Sequence, residues 1–112
     1  MELKYIPLAV KDIEKVPDRF NITLAGVDLI FEVAWNDAEG AFFASCYDAM
    51  ENPMIEGRIL IHHENFFEGI LDERAPNVRI VPLDLTGAAE AGGITLEQVK
   101  NGIVKLYVLE VV

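Results

Sequence analysis

The feature that most constrains this chain is an alternation of apolar and polar side chains on both sides of Ala25-Gly26. Phe20, Ile22 and Leu24 precede the pair, and Val27, Leu29, Phe31, Val33 and Trp35 follow it. A period of two puts one set of side chains on one face of a strand. A two-residue break containing Gly reads as a tight hairpin turn. With Ala25-Gly26 as the loop, residues whose numbers sum to 51 face each other: Leu24 and Val27, Ile22 and Leu29, Phe20 and Phe31. The same register sets Arg19 opposite Glu32 on the other face, an opposite-charge cross-strand pair. A slip of one residue would turn every apolar side chain to the wrong face, so agreement of the two faces selects one register.

A second hairpin should follow. Asn36-Asp37-Ala38-Glu39-Gly40 is a cluster of turn formers. A four-residue loop over 37–40 pairs Trp35 with Phe42, Val33 with Ala44, and Phe31 with Cys46. Small side chains then lie across from large ones, as interdigitated packing requires. Leu3 to Leu8 reads as a short opening strand, with Pro7 suited to a strand end, and Lys11 to Pro17 as a polar connector. Met54 to Ile61 is a strand bulged at Gly57, Val78 to Leu85 another, and Ile103 to Val112 a long closing strand. The stretch His63 to Leu71 predicts one or two helical turns, with Phe66, Phe67, Ile70 and Leu71 as the apolar side. Thr86 to Gly93, rich in Gly and Ala, is expected to be a mobile loop. Thr95-Leu96-Glu97-Gln98 has the capping-box form and predicts a short helix that stops at Asn101-Gly102. The expected fold is all-β, a small antiparallel barrel or sandwich of about six or seven short strands with one or two short helices. At 112 residues the chain is expected to be a single domain over 1–112.

Charge and cysteine content narrow the function. Nineteen acidic and nine basic side chains give a net charge of -10, and the basic ones are scattered. Neutralising a phosphate backbone needs clustered Lys and Arg, so nucleic acid is not an expected partner. Cys46 is the only cysteine, which rules out an intrachain disulfide. No apolar run approaches the roughly 20 residues that span a bilayer as a helix, and Met1-Glu2-Leu3-Lys4 does not open a signal peptide. We expect a soluble protein made in a cytosol, with no membrane partner.

No catalytic constellation stands out, and the chain is not expected to be an enzyme. His62-His63, with Glu64, Glu68, Asp72 and Glu73 nearby, is the one candidate metal cluster. Adjacent histidines diverge on a strand or a helix, however, and no second His or Cys cluster completes a ligand set. A solvated acidic helix beside a strand end is the better reading, so neither metal nor cofactor is expected. Cys46 lies on the inward side of its strand, where a thiol is a small core side chain, and Ser45 is the only serine. Asp37, Glu39 and Asp48 lack the spacing of a calcium loop and are expected to serve turns.

The two registers also define a face turned away from the core, carrying Arg19, Asn21, Ile30, Glu32, Ala34, Phe43, Ser45 and Tyr47. Such a face should be polar if it met only water, yet it holds Ile30, Phe43 and Tyr47. Either the chain's own helix or final strand covers these residues, or they are a contact for a partner protein. Ile30, Phe43 and Tyr47 are therefore the candidate partner-contact residues.

The order of motifs resembles the baseplate plug family of contractile-tailed bacteriophages. The residues that carry it are Tyr5-Ile6-Pro7-Leu8, Pro17-x-x-Phe20-x-Ile22-x-Leu24-x-Gly26 and Phe31-x-Val33-x-Trp35-Asn36. Phe42, Tyr47-Asp48, Asn52-Pro53-Met54-Ile55-x-Gly57-x-x-Leu60 and Val104-Lys105-Leu106-Tyr107-Val108 continue it. The resemblance is strong over residues 3–61 and only an outline over 62–102. It departs at Phe42, where the family often has Trp, and at Met50-Glu51, which replaces an Asp-Gly-like turn. It implies a non-enzymatic structural protein of the virion tail, assembled in the host bacterial cytoplasm. The implied partners are hub, tube or spike proteins, with self-association left open. The alternative is a small cytosolic β-barrel adaptor or ligand-binding domain, and a metal enzyme built on His62 and His63 comes third.

Overall fold

The turn at Ala25-Gly26 sets the geometry of the larger sheet. Ala25 has φ +49° and Gly26 φ +79°, the two consecutive positive values that a type I′ hairpin turn needs. This turn joins β2 (Asp18–Leu24) to β3 (Val27–Asn36), with Leu24 facing Val27, Phe20 facing Phe31 and Arg19 facing Glu32. The four-residue loop to β4 (Ala41–Asp48) is held by the Asn36 side-chain oxygen, which accepts the Glu39 N–H at 3.0 Å. It brings Trp35 to Phe42, Val33 to Ala44 and Phe31 to Cys46. Both expected registers are the observed ones.

The structure, a computed structural model, describes residues 4–86 and 94–110. β5 (Pro53–Ile59) completes a four-stranded antiparallel sheet in the order β2-β3-β4-β5. Its register slips twice against β4, between Ala44 and Cys46 and again between Cys46 and Tyr47. Gly57, at φ +59°, lies within the first irregularity, and its N–H donates to Ser45 Oγ at 2.9 Å. The bulge expected at Gly57 is therefore present, and a side-chain oxygen takes up the N–H there. β1 (Lys4–Ile6), β6 (Val78–Leu83) and β7 (Lys105–Glu110) make a second antiparallel sheet in the order β1-β7-β6. The fold is an all-β sandwich. Phe31, Leu29, Val33 and Phe42 from the larger sheet share one buried cluster with Ile6, Ile80 and Leu106 from the smaller.

A short helix, α1 (Leu96–Lys100), precedes β7 and has the expected capping box. Thr95 Oγ1 accepts the Gln98 N–H at 3.2 Å, and the Gln98 side-chain oxygen accepts the Thr95 N–H at 3.1 Å. Val99 on this helix is buried in the shared cluster. The loop expected over 86–93 lies, from residue 87 onward, outside the described residues.

The helical turns expected over 63–71 do not form; the segment is a series of turns. The backbone groups that a helix would use internally are taken by β6. The His63 N–H donates to Pro82 C=O at 3.0 Å, and the Phe66 N–H to Ile80 C=O at 2.7 Å. Asn65 Oδ1 accepts the N–H of both Phe67 (3.1 Å) and Ile80 (3.0 Å). Positive φ at His63 (+67°) and Gly69 (+75°) breaks helical continuity at both ends. Phe66 and Phe67 are buried as expected, but Leu71 is exposed. The segment thus covers the outer edge of β6, an edge that would otherwise present unpaired backbone groups.

Candidate docking face

Strand alternation divides the larger sheet into two unlike faces. The inner set, Leu29, Phe31, Val33, Phe42, Ala44 and Cys46, is almost wholly buried. Burial pushes the Cys46 thiol up to about 12, which makes it an unreactive core side chain. Trp35 and Phe20 stand at the margin of this layer, half-buried against it. Trp35 packs edge-on to Phe42 with ring centres 4.9 Å apart, and its indole N–H donates to Asp37 Oδ1 at 3.3 Å.

The outer face is arranged in three cross-strand rows. Asn21, Ile30 and Tyr47 form the first, Arg19, Glu32 and Ser45 the second, and Ala34 and Phe43 the third. Ile30, Phe43 and Tyr47 are all half-buried, as side chains are when flanked by strand neighbours. The helix and final strand supply Val99 and Leu106 to the inner core, so they lie on the opposite side of the sheet from this face. The polar row divides the two apolar ones. Arg19 at its end sits 3.7 Å from Glu32 and 3.0 Å from Glu51, with its guanidinium 4.7 Å from the centre of the Tyr47 ring. This places a cation–π contact between Arg19 and Tyr47 on the outer face.

β5 enlarges the apolar area in a way the sequence alone did not reveal. Ile59, 41% exposed, pairs with Phe43, and Pro53 pairs with Tyr47. Finding Ile59 required the β4–β5 register, which the two irregularities conceal from a simple count of alternating positions.

The other candidates resolve into structural roles. His62 is 4% exposed while its neighbour His63 is exposed, and the two rings meet edge to face with centres 6.0 Å apart. Among the described residues no group of three His, Cys, Asp or Glu side chains is placed to hold a metal ion. Asp48 serves its turn: Oδ1 accepts the N–H groups of Met50 and Asn52, each at 2.9 Å. Arg74 adds a clamp not anticipated from sequence, with Nη1 3.0 Å from Asp48, and Nη2 2.6 Å from Asp72 and 3.0 Å from Pro53 C=O. The Arg74 hydrogen bonds lower the Asp72 carboxyl to about 2.

Comparison with known proteins gives one family. The family model described as cyanophage baseplate Pam3 plug gp18 matches residues 3–111. No curated protein matches the chain.

Proposed function

The chain belongs to that cyanophage baseplate plug family, and from this premise we propose that it is a plug-like structural subunit of a phage or prophage tail. The observation that carries the reading is the family match over nearly the whole chain, residues 3–111. Its role is mechanical rather than catalytic. It folds as one unit over 1–112, assembles in the host bacterial cytoplasm, and contacts a hub, tube or spike protein.

The contact we assign is the outer face of the β2-β3-β4-β5 sheet, through Ile30, Phe43 and Tyr47. Aromatic and aliphatic side chains gathered on a sheet face gain free energy when a partner removes them from water. The Arg19–Glu32–Ser45 row between them supplies polar groups that fix the orientation of that partner. The clustered apolar rows are otherwise a liability to a solvated domain.

A complementation experiment tests this reading. Phage lacking the gene is supplied with the wild-type chain or with Phe43→Glu, and subunit copies per purified tail are counted. The wild-type chain is expected in the tails. The variant is expected to fold, because Phe43 lies outside the core, yet to be incorporated at a small fraction of the wild-type level. Normal incorporation would place the docking face elsewhere, and an unfolded variant would make Phe43 a core residue. Absence of the wild-type chain from tails would overturn the baseplate role itself.

A further inference from the structure

The large apolar side chains most open to solvent are not on the sheet faces. Leu71 is 95% exposed and Met50 is 83% exposed, above every other large hydrophobic residue described. Met50 is in the β4–β5 turn, at the same end of the sheet as Ala25-Gly26, since Leu29 of β3 pairs with Asp48 of β4. Side chains so exposed on turns are usually carried by mobile backbone. Here the backbone is tied down. The Asp48 carboxylate takes the N–H groups of Met50 and Asn52, and Asp48 C=O takes that of Glu51 at 2.9 Å. Arg19 holds the Glu51 carboxylate at 3.0 Å. Arg74 then joins this turn to Asp72, the residue after Leu71, by its bonds to Asp48 and Asp72. Backbone ordered before association lowers the ordering cost of binding, and a presented apolar side chain gains only when something buries it.

We infer that Met50 and Leu71 form a two-pronged apolar contact that enters a hollow, rimmed by Lys or Arg, on another protein of the baseplate. The charge of this end selects the rim. Asp28 and Glu73 border the same shallow depression as Met50, and neither has an ion-pair partner among the described residues. The guanidiniums of Arg19 and Arg74 are already engaged by this chain's own carboxylates. Asp28 accepts the Thr23 hydroxyl at 2.6 Å and keeps its charge, so a cationic rim would meet carboxylates without an ion pair around the apolar centre, whereas an acidic one would be repelled. The contact rests on the baseplate reading but uses residues separate from the sheet face, so one subunit would bridge two surfaces.

The test uses the full chain in assembled tails. A photoreactive methionine analogue placed at position 50 is irradiated in purified tails, and the cross-linked peptide is identified. A cross-link to another tail protein at a Lys- or Arg-rich surface is expected. The double variant Met50→Ser/Leu71→Ser, with the melting temperature of the isolated chain unchanged, is expected to reach tails at a level lower by roughly tenfold or more. Three results with the chain present in tails would overturn the contact: no cross-link from position 50, a cross-link only to a second copy or an acidic surface, or wild-type incorporation of the double variant. If the wild-type chain is missing from tails, the baseplate reading fails first and this contact falls with it.

Discussion

Replacing Phe31 by Ala probes the register on which the sandwich is built. Phe31 is 1% exposed, and its ring centre lies 6.2 Å from Phe20, 5.7 Å from Phe66 and 6.3 Å from Phe67. Deleting a buried Phe side chain costs about 3–5 kcal/mol, the lost transfer free energy plus the cavity left behind. Three aromatic neighbours, each worth about 0.5–1.5 kcal/mol beyond area, put this site in the upper part of that range, about 4–5 kcal/mol. At about 2.1 cal/mol/K per residue, 112 residues give an unfolding entropy of about 0.24 kcal/mol/K. The melting temperature should therefore fall by about 17–21 °C. Ile30→Ala is the matched control, because Ile30 is half-buried on the opposite face. It should cost about 1 kcal/mol, or about 4 °C. Both are measured by calorimetry on the purified chain, with two-state behaviour checked. If Ile30→Ala costs as much as Phe31→Ala, the strand is turned over by one residue and the core assignment is wrong.

Two further outcomes follow from the turns and the clamp. Ala25→Asn should raise stability by about 0.5–1 kcal/mol, because Asn enters the left-handed region more readily than Ala at the first position of a type I′ turn; an unchanged or lower melting temperature would refute that turn geometry. The Arg74 hydrogen bonds depress Asp72 from 3.8 to about 2, and Asp48 is lowered first by the Asn52 N–H and further by Arg74. A carboxyl depressed in the folded state adds stability that is present above its unfolded value and lost as pH falls through the folded one. Urea midpoints should therefore decline between about pH 4 and pH 2, and Arg74→Met should be less stable at neutral pH with a shallower decline. Parallel declines in the two proteins would remove Arg74 as the cause.

The parts of this fold legible in the sequence are those closed by local turns. The β2–β3 and β3–β4 registers could be read by counting, because Ala25-Gly26 and the loop 37–40 leave each strand one arrangement that buries Leu29, Phe31 and Val33 together. The β1–β7 pairing, Tyr5 against Tyr107, joins opposite ends of the chain, and no turn announces it. At Phe66 and Phe67 the apolar spacing fits a helix, yet donors from this segment are claimed by Ile80 and Pro82 far along the chain. That competition is tertiary, and local pattern does not carry it. The candidate face was visible as an unexpected apolar set, Ile30, Phe43 and Tyr47, while Ile59 was hidden by the irregular β5 ladder. Arg74 was missed because a lone Arg between turns looks like a solvated charge until Asp48 and Asp72 are seen to converge on it.

The position of Cys46 opposite Phe31 gives the molecule an internal stopwatch. Burial raises its thiol to about 12, so the nucleophilic thiolate is scarce at neutral pH in the folded chain. A thiol reagent is also blocked sterically, since the side chain is fully buried. Alkylation must therefore wait until β4 separates from its neighbours, and its rate counts openings of the sandwich rather than encounters at the surface. Because the chain has one cysteine, each labelling event belongs to a single known position without any engineering. The same clock runs in the free subunit and in a finished particle. The ratio of the two rates gives, per subunit, how much the surrounding assembly slows the unfolding of this protein.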